Sequence, residues 1–219
     1  METVKLMAST LKARGRKYAT FAEIQQHIPG VPASRIRLLP APGAATVADL
    51  MLAESRFGIL CELVDGILVE KPMAWTESCM AMMLGHILLG YLEEHPLGAV
   101  SGEQGMMRTI RRRVRMPDVA FVLWSNLPPG AATPDSICKV PPDLAVEILS
   151  KKNTRLEMKH KLREYFKAGT TLVWYIDPRK KTAERFTSPV DKTKIDESGF
   201  LTGGKLLPGF KLRLGELFE

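Results

Sequence analysis

Residues 142–165, PDLAVEILSKKNTRLEMKHKLREY, decide the fold. They read as a buried strand, a short turn and a helix. Leu144, Val146 and Ile148 fall on one face of the strand, and Asp143, Ala145, Glu147 and Leu149 on the other. Both faces are mostly apolar, so the strand belongs inside a sheet covered on both sides. Glu147 sits in its middle. An ionised carboxylate buried there alone is very costly, so it requires a cation, a metal or a proton.

The helix that follows offers the cation. Thr154 and Glu157 form a Thr-x-x-Glu capping box that starts it at Thr154. Met158, Leu162, Tyr165 and Phe166 recur at helical spacing and face the sheet, with Lys161 on one flank of that stripe and Lys159 on the other. The strand runs on for about 10 Å from Glu147 to Ser150. A helix folded back over the sheet returns about 10 Å from Thr154 to Lys161. The Lys161 ammonium is therefore expected level with the Glu147 carboxylate.

Working outward, residues 117–124, PDVAFVLW, form a second buried strand with Asp118 at its entrance. Val119, Phe121 and Leu123 line one face, and Ala120, Val122 and Trp124 the other. An Asp before a strand is commonly a turn residue, but Asp118 and Glu147 belong to consecutive buried strands. Residues 61–70, CELVDGILVE, make a hairpin turned at Asp65-Gly66. A long apolar helix over 76–94 opens with Thr76 and Glu77; Glu77 is either a first-turn acid favoured by the helix dipole or a functional carboxylate. Residues 98–116 read as two strands around a glycine-rich turn at 102–105, the second carrying Arg108, Arg111, Arg112, Arg113 and Arg115. That cluster serves either as a charge-protected edge or as a phosphate contact. After a proline-rich loop at 125–142 and the strand and helix already described, Gly169 closes the helix. TLVWYID at 171–177 is the next strand, paired with 182–187. A polar loop, a short strand near 204–207 and a terminal LGELF turn complete the chain.

Residues 1–45 read as a separate basic, helical appendage. They hold a basic run at 11–18, a short helix at 20–27 capped by Thr20 and a connector at 29–43. A further helix at 47–55, capped by Thr46, opens the main domain at 46–219. The 219 residues, 45% hydrophobic, suffice for one packed domain. A net charge of +7 suits a polyanionic partner such as nucleic acid. Cys61, Cys79 and Cys138 are odd in number and lack metal-type spacing, which fits a reducing cytoplasm. The longest apolar run, 79–92, is too short to span a membrane comfortably.

Zinc-protease, serine-hydrolase and phosphate-loop motifs are absent from the sequence, and His27, His86, His95 and His160 are scattered. What remains is two carboxylates on neighbouring strands, a helical lysine and a possible third carboxylate. Hard carboxylate oxygens select Mg²⁺ or Mn²⁺. Such an ion, with an adjacent lysine, makes a phosphodiester-hydrolysis site. The competing reading is a buried structural ion pair.

ELVDG, PDVAFV, PDLAVEILS, the K-L-x-x-Y helix and LVWYIDP resemble, in order, the Uma-two family of endonucleases within the restriction-endonuclease-like PD-(D/E)XK superfamily. The likeness runs from about residue 61 to the end of the chain. It implies an α/β fold with a mixed central sheet flanked by helices. It implies Asp118 and Glu147 as metal-binding acids, the Ile148 carbonyl as a third ligand, and DNA as substrate. The superfamily's lysine lies two residues after the glutamate, where this chain has Leu149, so Lys161 is its replacement. Glu77 stands where the superfamily adds a helical glutamate, with Glu62 its rival. Arg111, Arg113, Arg115, Lys151, Lys152 and Arg155 are the expected nucleic-acid contacts, and a homodimer is the expected assembly. A non-catalytic nucleic-acid-binding or protein-interaction module on the same fold is the alternative.

Overall fold

The structure is a computed structural model that describes residues 18–72, 74–128 and 137–219. The basic run at 11–17 and the middle of the proline-rich loop lie outside the described residues. In chain order the elements are α1 (Phe21–His27), α2 (Val47–Phe57), β1 (Cys61–Val64), β2 (Ile67–Glu70), α3 (Trp75–Glu94), β3 (Gly98–Ser101), β4 (Met107–Arg108), β5 (Arg113–Arg115) and β6 (Val119–Leu123). Then come β7 (Leu144–Ile148), α4 (Arg155–Ala168), β8 (Leu172–Asp177), β9 (Thr182–Phe186), β10 (Lys192–Ile195), β11 (Phe200–Gly203) and β12 (Leu207–Arg213).

β7 is central, as its two apolar faces require. It lies within a six-stranded sheet ordered β10-β9-β8-β7-β6-β3. Only β7 and β8 are parallel, and α4 is the crossover between them. On one face, Met80, Leu84, Leu88 and Leu92 of α3 pack with Val119, Phe121, Leu144, Val146, Ile148 and Trp174. On the other, Met158, Leu162 and Tyr165 of α4 cover Ala145, Val173 and Tyr175. Each large apolar side chain buried in these layers contributes roughly 1.5–3 kcal/mol. Gly98 on edge strand β3 has no room for a side chain, because a Cβ there would lie 2.1 Å from the Val122 carbonyl oxygen.

A second, antiparallel sheet ordered β2-β1-β5-β4 stands beside the first, and β11 with β12 forms a third. α2 buries Leu50 against this second sheet, with Cys61, Leu63 and Leu68. Ile24 and Ile28 of α1 pack with Val31 and Ile36 onto Val64, Ile67 and Val69 of the β1–β2 hairpin. Among the described residues no helix is long and apolar enough to cross a membrane.

Three local expectations are corrected. Residues 98–116 do not make two simple strands: β3 stays in the large sheet, while β4 and β5 flank a turn and join the second sheet. Arg112 adopts φ +63° in that turn, which Arg113 N–H closes on the Ile110 carbonyl at 3.0 Å. A run of arginines carries no periodicity that marks such a break. Trp124, placed by alternation on a buried face, lies past the end of β6 and is 55% exposed. The tail is a hairpin, β11–β12, with Gly204 at φ +57° in its turn, and the polar stretch before it adds β10 to the large sheet.

Candidate functional site

The register of β6 on β7 positions the two acids. Val119 pairs with Val146 and Ala120 with Ala145, antiparallel. Asp118 stands one residue before β6 and Glu147 one residue past Val146; the Asp118 N–H donates to the Val146 carbonyl at 2.9 Å, one residue out of the β6–β7 register, and both acids line one cleft. Asp118 Oδ2 accepts the Ile148 N–H at 2.6 Å. Its Oδ1 lies 2.8 Å from Nζ of Lys71, the first residue after β2.

Glu147 is held from α4. Lys161 Nζ lies 2.8 Å from Glu147 Oε1 and 2.9 Å from Oε2, so the pairing read from strand and helix rise is present. Tyr165, one turn further on, donates its hydroxyl to Glu147 Oε1 at 2.6 Å. The same lysine reaches Glu62 Oε1 on β1 at 2.8 Å. Arg115 NH1 holds Glu62 Oε2 at 2.8 Å, and Arg115 also pairs with both oxygens of Glu164. Arg113 joins Glu164 at 2.9 Å and Asp65 at 2.6 Å.

Burial dominates the ionisation of this wall and is offset unevenly. Burial pushes Glu147 up; the Lys161 charge opposes this, while Asp118 and Glu62 reinforce it. Burial acts the same way on Glu62, but Lys161 and Arg115 together outweigh it and hold that carboxyl well below the usual range. Lys161, between two carboxylates, is raised despite its burial. Glu147 is therefore the more basic of the two acids that share Lys161.

Asp118, Glu147, Ile148, Lys161, Glu77 and Glu62 line one cleft, about 440 Å³ including its opening to solvent. Glu77 stands on its wall from the first turn of α3, whereas Glu62 is buried and fully engaged by Lys161, Arg115 and the Met116 N–H. Among the described residues, no three His, Cys, Asp or Glu side chains form a metal cage by themselves. The donor set that fits a hard divalent ion is thus mixed: the Asp118 and Glu147 carboxylates plus a main-chain carbonyl, for which Ile148 is placed on the cleft.

The expected nucleic-acid contacts divide. Arg111, Lys151, Lys152 and Arg155 are exposed, and residues 150 and 153 line the cleft. Arg115 is withdrawn from that group: its side chain is 9% exposed and neutralises Glu62 and Glu164 inside the protein. Arg113 is likewise engaged by Asp65 and Glu164. Sequence reading missed Lys71, since a lysine after a strand is unremarked, and treated Tyr165 as apolar filling. The signal for Tyr165 was present, because it lies one helical turn after Lys161.

The Uma2 family model, described as "Putative restriction endonuclease", matches residues 49–215. A search of curated proteins gave no match. Among solved structures, a protein from Anabaena variabilis described as a "putative nuclease belonging to DUF820" superposes with a TM-score of 0.65 at 19% identity, covering 74% of this chain and 90% of that one. That likeness is one of fold.

Proposed function

We propose that this chain, which belongs to the Uma2 family, hydrolyses nucleic-acid phosphodiester bonds in a metal-dependent reaction, with DNA as substrate. Family and fold support a nuclease role. The observation that carries the finer reading is that Asp118, just before β6, and Glu147, on the adjoining β7, line one cleft, with the Lys161 ammonium 2.8 Å from Glu147.

Asp118, Glu147 and the Ile148 carbonyl are the groups that would hold Mg²⁺ or Mn²⁺, with Glu77 on the cleft wall as an additional acid. When bound, the ion supplies Lewis acidity, lowering the pKa of water and offsetting charge on the phosphoryl group. Lys161 and Tyr165 fix the Glu147 carboxylate from α4, so its orientation is set before substrate arrives. The Lys161 charge, buried and shielded from bulk water, stabilises negative charge developing beside it. Arg111, Lys151, Lys152 and Arg155 contact the phosphate backbone, setting affinity rather than sequence choice. For cleavage of both strands we propose a homodimer, which sedimentation of the purified chain on duplex DNA would reveal.

The test is cleavage of varied DNA substrates with Mg²⁺, Mn²⁺ or chelator. Chelator-sensitive cleavage should fall by about 100-fold or more in Asp118→Ala and in Glu147→Ala. Undiminished cleavage by both variants rejects the mechanism. One observation favours the second reading, a binding module without catalysis: each carboxylate of the pair already carries a lysine of the same chain. Mn²⁺ titration separates them, because the module need not bind the ion through these acids.

A further inference from the structure

Lys71 lines this cleft, and neither the family likeness nor the proposed chemistry uses it. Its side chain is 6% exposed. The ammonium lies 2.8 Å from Asp118 Oδ1, donates to the Met116 carbonyl at 2.8 Å, and donates to the Glu103 carbonyl at 3.2 Å. Three N–H donors thus meet three oxygens, one carboxylate and two carbonyls. Oxygens of this kind are also what a hard divalent cation takes. The backbone fixes the stem from which the lysine reaches them, since the Lys71 N–H donates to the Leu60 carbonyl at 2.9 Å and extends the β1–β2 ladder by one residue.

We propose that Lys71 is a tethered cation that occupies the metal position at Asp118, and that a divalent ion enters only by displacing it. The inference rests on the metal-dependent reading above. Its basis is competition at one carboxylate: Asp118 Oδ2 accepts the Ile148 N–H and Oδ1 carries the Lys71 ammonium, so an ion taken up at Oδ1 meets a positive charge already there. Lys161 is differently placed. It bridges Glu62 and Glu147 and does not hold Asp118, so it can stay while Lys71 leaves. The released ammonium has Glu77 and Glu103 on the same cleft wall, so it can leave Asp118 without leaving acidic surroundings. Lys71 keeps Asp118 paired and ties the 102–105 turn to the site through the Glu103 carbonyl. The cost of displacing it appears as a weakened apparent affinity for the ion.

Two measurements on the full chain test this. In the wild type, lysines are acetylated with and without saturating Mn²⁺, read by mass spectrometry against exposed Lys167 as reference. Lys71 should pass from protected to reactive as the ion binds; continued protection at saturation overturns the proposal. Separately, Mn²⁺ affinity is measured by paramagnetic resonance and calorimetry in the wild type, Lys71→Met and Lys71→Gln. Both variants should bind on the order of tenfold more tightly. Equal or weaker binding, with Glu147→Ala still abolishing it, overturns the role of Lys71 and leaves the metal site standing. Absence of binding in wild type and both Lys71 variants, or binding that survives Asp118→Asn and Glu147→Ala, overturns the metal site and this proposal together.

Discussion

At the scale of the residue, Lys161 is the group most exposed to test. One ammonium serves Glu62 and Glu147, all three side chains being buried. Removing one partner of a buried ion pair leaves an uncompensated charge, at about 3–5 kcal/mol. Lys161→Met should therefore lose stability on that scale in urea unfolding, and adding Glu147→Gln should recover part of it. Non-recovery would mean that Glu62, not Glu147, is the partner that matters. Glu164 makes a pH prediction. Burial raises it, but Arg115, Thr109 and Arg113 outweigh burial and hold its folded pKa below the ordinary 4.5. As pH falls from above that value, the unfolded chain takes up the proton first. The contribution of Glu164 is thus complete above the ordinary carboxylate range and disappears as pH falls through the folded value. Glu164→Gln should lower stability at neutral pH and flatten the acid limb of the stability curve, as followed by thermal unfolding across pH. Glu147 was legible in the sequence because a charge in an apolar strand needs a partner, and rise per residue brought Lys161 level with it. Lys71 was not, because its oxygens come from residues 103, 116 and 118, far along the chain.

At the scale of the element, α4 is held at its start by more than its own cap. Thr154 accepts the Glu157 N–H at 3.1 Å, as the capping box predicts, and also donates its hydroxyl to the Gly30 carbonyl at 2.8 Å. Arg35 binds both Glu157 oxygens, at 2.8 and 2.9 Å. The segment following α1 therefore anchors the helix that carries Lys161 and Tyr165. Gly30 sits at φ +78°, and a Cβ there would lie 2.7 Å from Thr154 Oγ1 and 2.8 Å from the Glu157 nitrogen. Gly30→Ala combines left-handed strain with this collision and should cost on the order of 1–3 kcal/mol. If α4 relays the damage, Mn²⁺ binding at Glu147 should weaken in the same variant; loss of stability with unchanged binding would confine Gly30 to the fold. The cap and the stripe of α4 were readable because both are local. The break between β4 and β5 was not, because its turn is held from distant segments: the Asp65 N–H donates to the Arg112 carbonyl at 3.2 Å and the Arg112 guanidinium to the Gly43 carbonyl at 3.1 Å.

At the scale of the whole molecule, the net charge of +7 divides into two populations that composition cannot separate. Arg35, Lys71, Arg113, Arg115 and Lys161 are engaged by acids within the protein. Lys151, Lys152, Arg155 and Arg111 face solvent, the first three around the loop that borders the cleft. The second group can release counterions from a phosphate backbone, at a slope of about 0.9 per phosphate on duplex DNA. Lys151→Ala combined with Lys152→Ala should therefore lower duplex affinity uniformly across sequences and reduce the salt slope by up to about 2. The fold should be unaffected, since exposed charges contribute little to stability. Arg115→Ala makes the opposite prediction. It removes the guanidinium shared by buried Glu62 and Glu164, so it should unfold the chain more easily by several kcal/mol and leave the salt slope of any folded fraction unchanged. Fluorescence anisotropy at several salt concentrations, run beside urea unfolding of both variants, checks the pair. A salt slope that falls in Arg115→Ala, or stays fixed in the double lysine variant, would show that the polyanion meets a different face of the molecule.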